Sequence, residues 1–318
     1  AARPALGLAS MGPRPKARTL RPIRCSAFGL DITSAIPLPG RWRASGAGLP
    51  PVSIEHATGR EIDARWSGRE RAGWEGRVDG RDFVVEHGRA GDLRMRLEPS
   101  TTLHLSGDGA RLLVAEPAGD RPATLRLLLD SALFTVALRH GHEALHAGAV
   151  TTGSGALAVL GPAGAGKSSL VAALLRAGCE FHTDDVLFVR RAGDAFLAAP
   201  GPPVLTVPNP PPATIGEPIA DLGGETWLAV AGARGEPPLV GIVELEPGAG
   251  AAQPARDWGL LLSQMLRFPR TPERERRRFE LAADLAARVP RLKLGARSAP
   301  ADNLSGSALA WLRSLPEL

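Results

Sequence analysis

The residues best suited to chemistry lie near the middle of the chain. Gly161-Pro162-Ala163-Gly164-Ala165-Gly166-Lys167-Ser168 reads G-x-x-x-x-G-K-S, a phosphate-binding loop, and Ser169 follows at once. Glycines at such spacing let the backbone turn its N–H groups inward around a phosphate, at a helix N-terminus that already favours anions. Lys167 is placed to reach the outer phosphates of a nucleotide, and the Ser168 hydroxyl to ligate Mg²⁺. A chance match is the alternative in a chain with 37 glycines, but lysine is rare here: only Lys16, Lys167 and Lys293 occur. The motif predicts binding of a nucleoside triphosphate, taken as ATP with Mg²⁺.

A second group follows at Asp184-Asp185, just beyond Gly178 and Cys179-Glu180-Phe181. Phosphoryl transfer needs one carboxylate to hold the metal and often another to take the hydroxyl proton of the acceptor. Adjacent carboxylates repel, and a bound Mg²⁺ relieves that repulsion. A solvated acidic turn is the plainer alternative. The LSGGQ stretch of an ABC-type ATPase is missing, and the local pattern favours a kinase.

These residues need a buried strand before the loop and a helix after it. The apolar run Ala156 to Leu160 supplies the first, and Ser169 to Ala177 is a good helix former. Ahead of them, Ala144 to Thr152 reads as a strand joined by Gly153-Ser154-Gly155 to the loop strand. A hairpin at this point, where a doubly wound fold would place a crossover helix, predicts a mixed sheet. Pro122 to Gly141 reads as one helix, with Leu125, Leu128, Leu129, Leu133 and Val136 at helical spacing. Pro200 to Pro212 is proline-rich, which rules out a helix and predicts an extended loop beside the site, either a wall of the acceptor groove or, the preferred reading, a surface connection. Arg256 to Leu266 and Thr271 to Arg288 read as helices, Thr271-Pro272 being an N-cap pair, and Asn303 to Ser314 as a last helix. Arg267 and Arg270 sit at the junction, where an arginine can meet a phosphate, although solvated helix ends are the plainer reading.

Residues 24–114 read as mostly antiparallel strand: Ser26 to Ile32, Pro51 to His56, Glu61 to Trp66, Gly73 to Val78, Asp82 to Glu86, Leu93 to Leu97, Thr101 to Leu105 and Arg111 to Val114. No catalytic constellation occurs there, so this part is expected to scaffold the rest or recruit its substrate. The expected division is 1–22 disordered, with Met11 available as a start of translation, then 23–120 β-rich and 121–318 a kinase unit. The net charge of +5 is modest and the arginines are dispersed, which disfavours a nucleic-acid partner. The Arg274-Glu275-Arg276-Arg277-Arg278 cluster reads as a solvated helix face. Cys25 and Cys179 fit no metal spacing and read as free thiols; no run is long enough for a membrane span, and no secretory h-region is present. A cytoplasmic protein is expected, with homo-oligomerisation left open.

Leu145-His146-Ala147-Gly148-Ala149-Val150, the loop Gly161 to Ser169, Gly178 and Asp184-Asp185 together resemble the catalytic domain of the HPr kinase/phosphorylase family, in its divergent HPr kinase-like branch. Ala27 to Ile32, Ile36 to Pro39 and Arg288 to Leu294 resemble the two ends of that branch. The resemblance implies an α/β P-loop kinase of the HPr kinase and phosphoenolpyruvate carboxykinase type, with a mixed sheet behind a β-rich N-terminal region. It implies that Lys167 and Ser168 bind phosphate and Mg²⁺, that one of Asp184 and Asp185 is the base while the other holds metal, and that His146 lies near the reacting phosphate. A structural role is the equally ordinary reading of a lone histidine there. The N-terminal half departs from the regulatory domain of the bacterial HPr enzymes, and their glutamate-arginine segment is not found; Glu244, on the apolar stretch Val240 to Leu245, is the nearest glutamate in kind. The expected function is transfer of the γ-phosphate of ATP to a serine-type hydroxyl of a protein, peptide or metabolite. The alternative is a nucleotide-binding regulatory module without transfer.

Overall fold

The computed structural model describes residues 21–315 apart from 45–47, 79, 100, 118, 210–214, 222–223, 248–251, 267–270 and 296–299. Segment 1–20, Arg267 and Arg270 therefore lie outside the described residues. The first strands are β1 (Ile23–Ala27), β2 (Leu30–Ser34), β3 (Pro51–His56), β4 (Arg69–Val78), β5 (Arg81–Gly88), β6 (Leu93–Leu97), β7 (Thr101–Leu105) and β8 (Arg111–Ala115). They form one sheet in the order β1-β2-β3-β8-β7-β6-β5-β4. Alternation such as Leu30, Ile32 and Ser34 inward on β2 buries one face of it.

Three local expectations are corrected here. Ser26 to Ile32 is two strands, because Phe28 and Gly29 take φ of 55° and 73° and close a tight hairpin. The sheet is mixed, since β2–β3 and β3–β8 pair in parallel. Glu61 to Trp66 is helix α1 (Gly59–Arg65): Thr58 Oγ1 accepts from the Glu61 N–H at 3.2 Å, and Glu61 Oε2 from the Thr58 N–H at 2.7 Å. This capping box outweighs the short apolar alternation that suggested a strand.

The helix expected over 122–141 is α2 (Arg121–Leu127), a π-helical turn Leu128–Ala132 and α3 (Leu133–Arg139). Leu128, Leu129, Leu133 and Val136 are fully buried, in one apolar core with Leu30 and Leu103 of the first sheet and Phe188 beyond the helix.

The second sheet contains β9 (Glu143–Thr152), β10 (Gly155–Leu160), β11 (Glu180–Thr183), β12 (Val186–Ala192), β13 (Ala195–Ala199), β17 (Leu239–Glu246), β18 (Gln253–Pro254) and β19 (Arg291–Gly295), with β14 (Val204–Pro208), β15 (Glu217–Asp221) and β16 (Glu225–Ala229) forming a third, small sheet. The order β13-β12-β9-β10-β17-β19-β18, with β11 also on β9, is mixed: β10–β17 and β17–β19 are parallel, whereas β9–β10 is a hairpin. The chain is thus α/β with mixed sheets and an N-terminal run of strands. Every residue of β10 is buried, as its unbroken apolar run requires of a central strand. Helix α4 (Lys167–Arg176) and α7 (Ala301–Ser314) pack on one face of this sheet, and α5 (Gly259–Gln264) and α6 (Pro272–Arg288) on the other.

The proline-rich stretch after Pro200 is corrected too. Between its prolines, Val204, Leu205 and Val207 are apolar enough to be buried, and Val204–Pro208 is strand β14, extended and beside the site as expected but not a surface connection; residues 210–212 lie outside the described residues. The arginine cluster is also not wholly solvated. On α6, Arg274 and Arg278 are buried one turn apart; Arg274 pairs at 3.1 Å with Glu143, itself buried at the start of β9. No helix of the described residues is long and apolar enough to cross a membrane.

Candidate functional site

The end of β10 opens into the loop Gly161–Gly166, which leads directly into α4. Gly164 and Gly166 have φ of 73° and 93°, a region costly for any residue with a Cβ. Lys167 is the first residue of α4 and is buried; its Nζ donates to Gly161 O at 3.0 Å and Pro162 O at 3.4 Å, folding over the loop. Burial lowers the pKa of this ammonium, while Asp185 and Asp184 oppose the shift. The loop backbone and the lysine thus form one cationic cradle at a helix N-terminus.

One residue on, Ser168 Oγ donates to Asp184 Oδ1 at 3.1 Å. The other oxygen of Asp184 accepts from the Thr206 N–H of β14 at 2.9 Å. The residue is half-buried, but its carboxylate is enclosed. Burial, with Asp185 adding to it, raises its pKa well above the ordinary carboxylate range. Gly148 makes room for this arrangement: a Cβ there would lie 2.8 Å from Val171 Cγ2 of α4 and 3.8 Å from Asp184 Oδ1.

Asp185 occupies the left-handed region at φ 60°, unusual for a residue that is not glycine. Its carbonyl accepts from the Ala147 N–H at 3.0 Å and from His146 Nδ1 at 3.0 Å. A carbonyl only accepts, so the His146 ring carries its proton on Nδ1. Burial and the nearby Lys167 lower the pKa of this histidine. Thr183 Oγ1 donates to Val186 O at 2.7 Å across the same turn. Several bonds therefore hold a strained residue in place, a pattern common at functional sites.

His146 and Asp185 also line a cavity of about 300 Å³ whose other polar walls are Arg126, Asp130 and Ser131. Asp130 and Ser131 belong to the π-helical turn. Asp130, Asp184 and Asp185 together line a smaller neighbouring space, and the charge of Asp130 adds to the upward shift of Asp184.

The structure thus brings together Gly161 to Ser169, Asp184, Asp185 and His146. Glu244 stands opposite Leu160 on the neighbouring strand β17, one residue short of the loop, but its side chain pairs at 2.8 Å with Arg291, and both are buried. Thr206 and Asp130 escaped the sequence reading. Thr206 acts through its backbone N–H, which leaves no trace in residue type. Asp130 does leave one, as a lone acid within the apolar run Leu127 to Phe134.

One hydroxyl and two acidic side chains fit Mg²⁺, a hard cation that takes oxygen ligands. Among the described residues no group of three or more His, Cys, Asp or Glu is arranged to hold a metal. A Mg²⁺ ion needs only one or two carboxylates when phosphate and water complete its shell. The burial that destabilises the ionised Asp184 is the observation such a cation would answer.

No family model matches the chain, and no curated protein matches it. Among solved structures it is similar to the HPr(Ser) kinase/phosphatase from Coxiella burnetii, with a TM-score of 0.30 and 14% identity, over 54% of this chain and 93% of that one. A superposition this loose carries no weight for the chemistry of the site.

Proposed function

We propose that the chain is an ATP- and Mg²⁺-dependent kinase that transfers the γ-phosphate to a hydroxyl of a protein, peptide or small molecule. The observation that carries this reading is the Ser168–Asp184 hydrogen bond directly behind the glycine loop, with Asp185 beside it on a separate cavity. The N–H groups of the loop 161–166, with Ser169 beyond, cradle the phosphates, and Lys167 exchanges its carbonyl partners for phosphate oxygens. Ser168 and Asp184 hold Mg²⁺. The metal, when bound, neutralises charge on the transferring phosphate.

Asp185 is the base. It faces the cavity from which a hydroxyl would approach, whereas both oxygens of Asp184 are engaged elsewhere. His146 positions Asp185 through its carbonyl. In this reading residues 121–318 carry the transfer chemistry, and 23–120 contribute a cavity wall through Leu97.

The test is incubation with γ-labelled ATP, Mg²⁺ and an extract of the source, beside Asp185→Asn and Lys167→Ala. Label in an acceptor for the wild type, lost in Asp185→Asn with nucleotide binding retained, is the expected result. Binding without transfer in the wild type would make the chain a regulatory module instead, and no nucleotide binding would overturn the reading altogether.

A further inference from the structure

The cavity beside Asp185 has the dimensions of a small-molecule site. Its volume of about 300 Å³ corresponds to about ten water volumes, the low end of ligand pockets. Apart from its polar edge it is lined by Leu97, Ala123, Leu127, Phe134, Val186 and Leu266. These come from the first sheet, the α2–α3 helix, the start of β12 and the segment just beyond α5. The walls are therefore built from several separate elements that enclose the space in part and leave it open on one side.

The polar edge is specific as well. Arg126 and Asp130 face each other one helical turn apart at 3.6 Å. The π-helical turn widens the helix where it meets the cavity and carries Asp130 and Ser131 on that wall. With Asp185, the lining holds two carboxylates against one guanidinium, and the triphosphate carries more charge than Lys167 and Mg²⁺ beside it neutralise. An anionic acceptor is repelled in such a site, while a neutral or aminated one is not.

We propose that this cavity is the acceptor site and that the acceptor is a small neutral or amine-bearing alcohol with an apolar body of about ten to fifteen non-hydrogen atoms. The inference rests on the kinase reading above. In the transfer the acceptor O–H bond breaks and its proton passes to the Asp185 carboxylate. The oxygen forms a bond to the γ-phosphorus of ATP, and the bond from that phosphorus to the bridging oxygen breaks. ADP leaves with the electron pair.

The experiment uses the full chain with γ-labelled ATP and Mg²⁺, offering phenylethanol, phenylethanolamine, phenyllactate, glycerol, a serine-containing peptide and casein as separate acceptors. The thermal shift caused by Mg²⁺–ATP is measured on every protein. Phenylethanol and phenylethanolamine are expected to take label, phenyllactate about tenfold less, and glycerol, which cannot fill the apolar walls, little. Ala123→Phe and Ser131→Phe, two independent ways of filling the space, are expected to raise the KM for the alcohols in proteins that keep the nucleotide shift. Label in the peptide or casein but not in the alcohols overturns the inference in favour of a polypeptide acceptor. So does preference for phenyllactate, unchanged KM in both filled variants, or no acceptor labelled while the nucleotide shift persists. Absence of the shift in the wild type is the separate failure, that of the kinase reading itself.

Discussion

The hydroxyl of Ser168 and the carboxylate of Asp184 meet at 3.1 Å, although they belong to different elements, α4 and the turn between β11 and β12. The contact closes the glycine loop onto the acidic pair and places a carboxyl group where burial opposes its ionisation. Its consequences are measurable without knowing the acceptor.

Asp184→Asn should stabilise the protein in the absence of metal. The folded-state pKa of Asp184 is raised, so its ionised form costs the folded chain free energy at neutral pH. The cost disappears as pH falls through the raised value toward the ordinary carboxylate range. Each kcal/mol so relieved lifts Tm by about 2–4 °C. Mg²⁺ should then raise the Tm of the wild type more than that of the variant, as differential scanning fluorimetry with and without the metal would reveal. A variant less stable than wild type in chelator would contradict this account of the site.

Lys167→Ala should weaken ATP binding about ten- to hundredfold, the range expected for losing hydrogen bonds from a charged group. In the empty protein the ammonium is satisfied by Gly161 O and Pro162 O, so the variant should still fold. Calorimetric titration with Mg²⁺–ATP measures it. Unchanged affinity would remove Lys167 from the phosphate site.

His182 sets a limit to acid stability. It is fully buried, with Nδ1 at 3.0 Å from Thr151 Oγ1 and Nε2 at 3.1 Å from Ala198 O, and burial pushes its pKa down to about 4. A depressed histidine contributes stability above its unfolded value of 6.5, and that contribution is lost as pH falls toward 4. The total amounts to about 3 kcal/mol. Urea midpoints followed between neutral pH and pH of about 4 should fall more steeply for the wild type than for His182→Gln. Parallel profiles would show that other groups govern the acid limb.

The Glu143–Arg274 pair should be costly to break and cheap to replace. Both partners are buried, and Arg277 adds a contact to Glu143 at 3.3 Å. Arg274→Met leaves a buried carboxylate without its nearest guanidinium and should cost about 3–5 kcal/mol. Glu143→Leu combined with Arg274→Met should recover most of that loss. Urea denaturation of the three proteins measures the coupling, and additive losses would mean that the pair does not act as a unit.

What the sequence by itself determined is local. The buried run of β10, the glycines of the loop and the helix after Lys167 were legible because burial, left-handed backbone and helix propensity are written in neighbouring residues. The same holds for the β9–β10 hairpin and the Thr271 cap of α6. The capping box at Thr58 and Glu61 was also local, and a competing alternation concealed it. Tertiary structure alone decided the rest. It ran β2, β3 and β8 in parallel, buried Arg274 against Glu143 and turned a proline-rich stretch into the strand that bonds Asp184. It also set the two aspartates apart, engaging Asp184 with Ser168 and Thr206 and leaving Asp185 on the cavity wall with Asp130. Adjacent residues of one type are equivalent in sequence. Only the packing of distant elements around them gives each a different dielectric, different partners and a different direction to face.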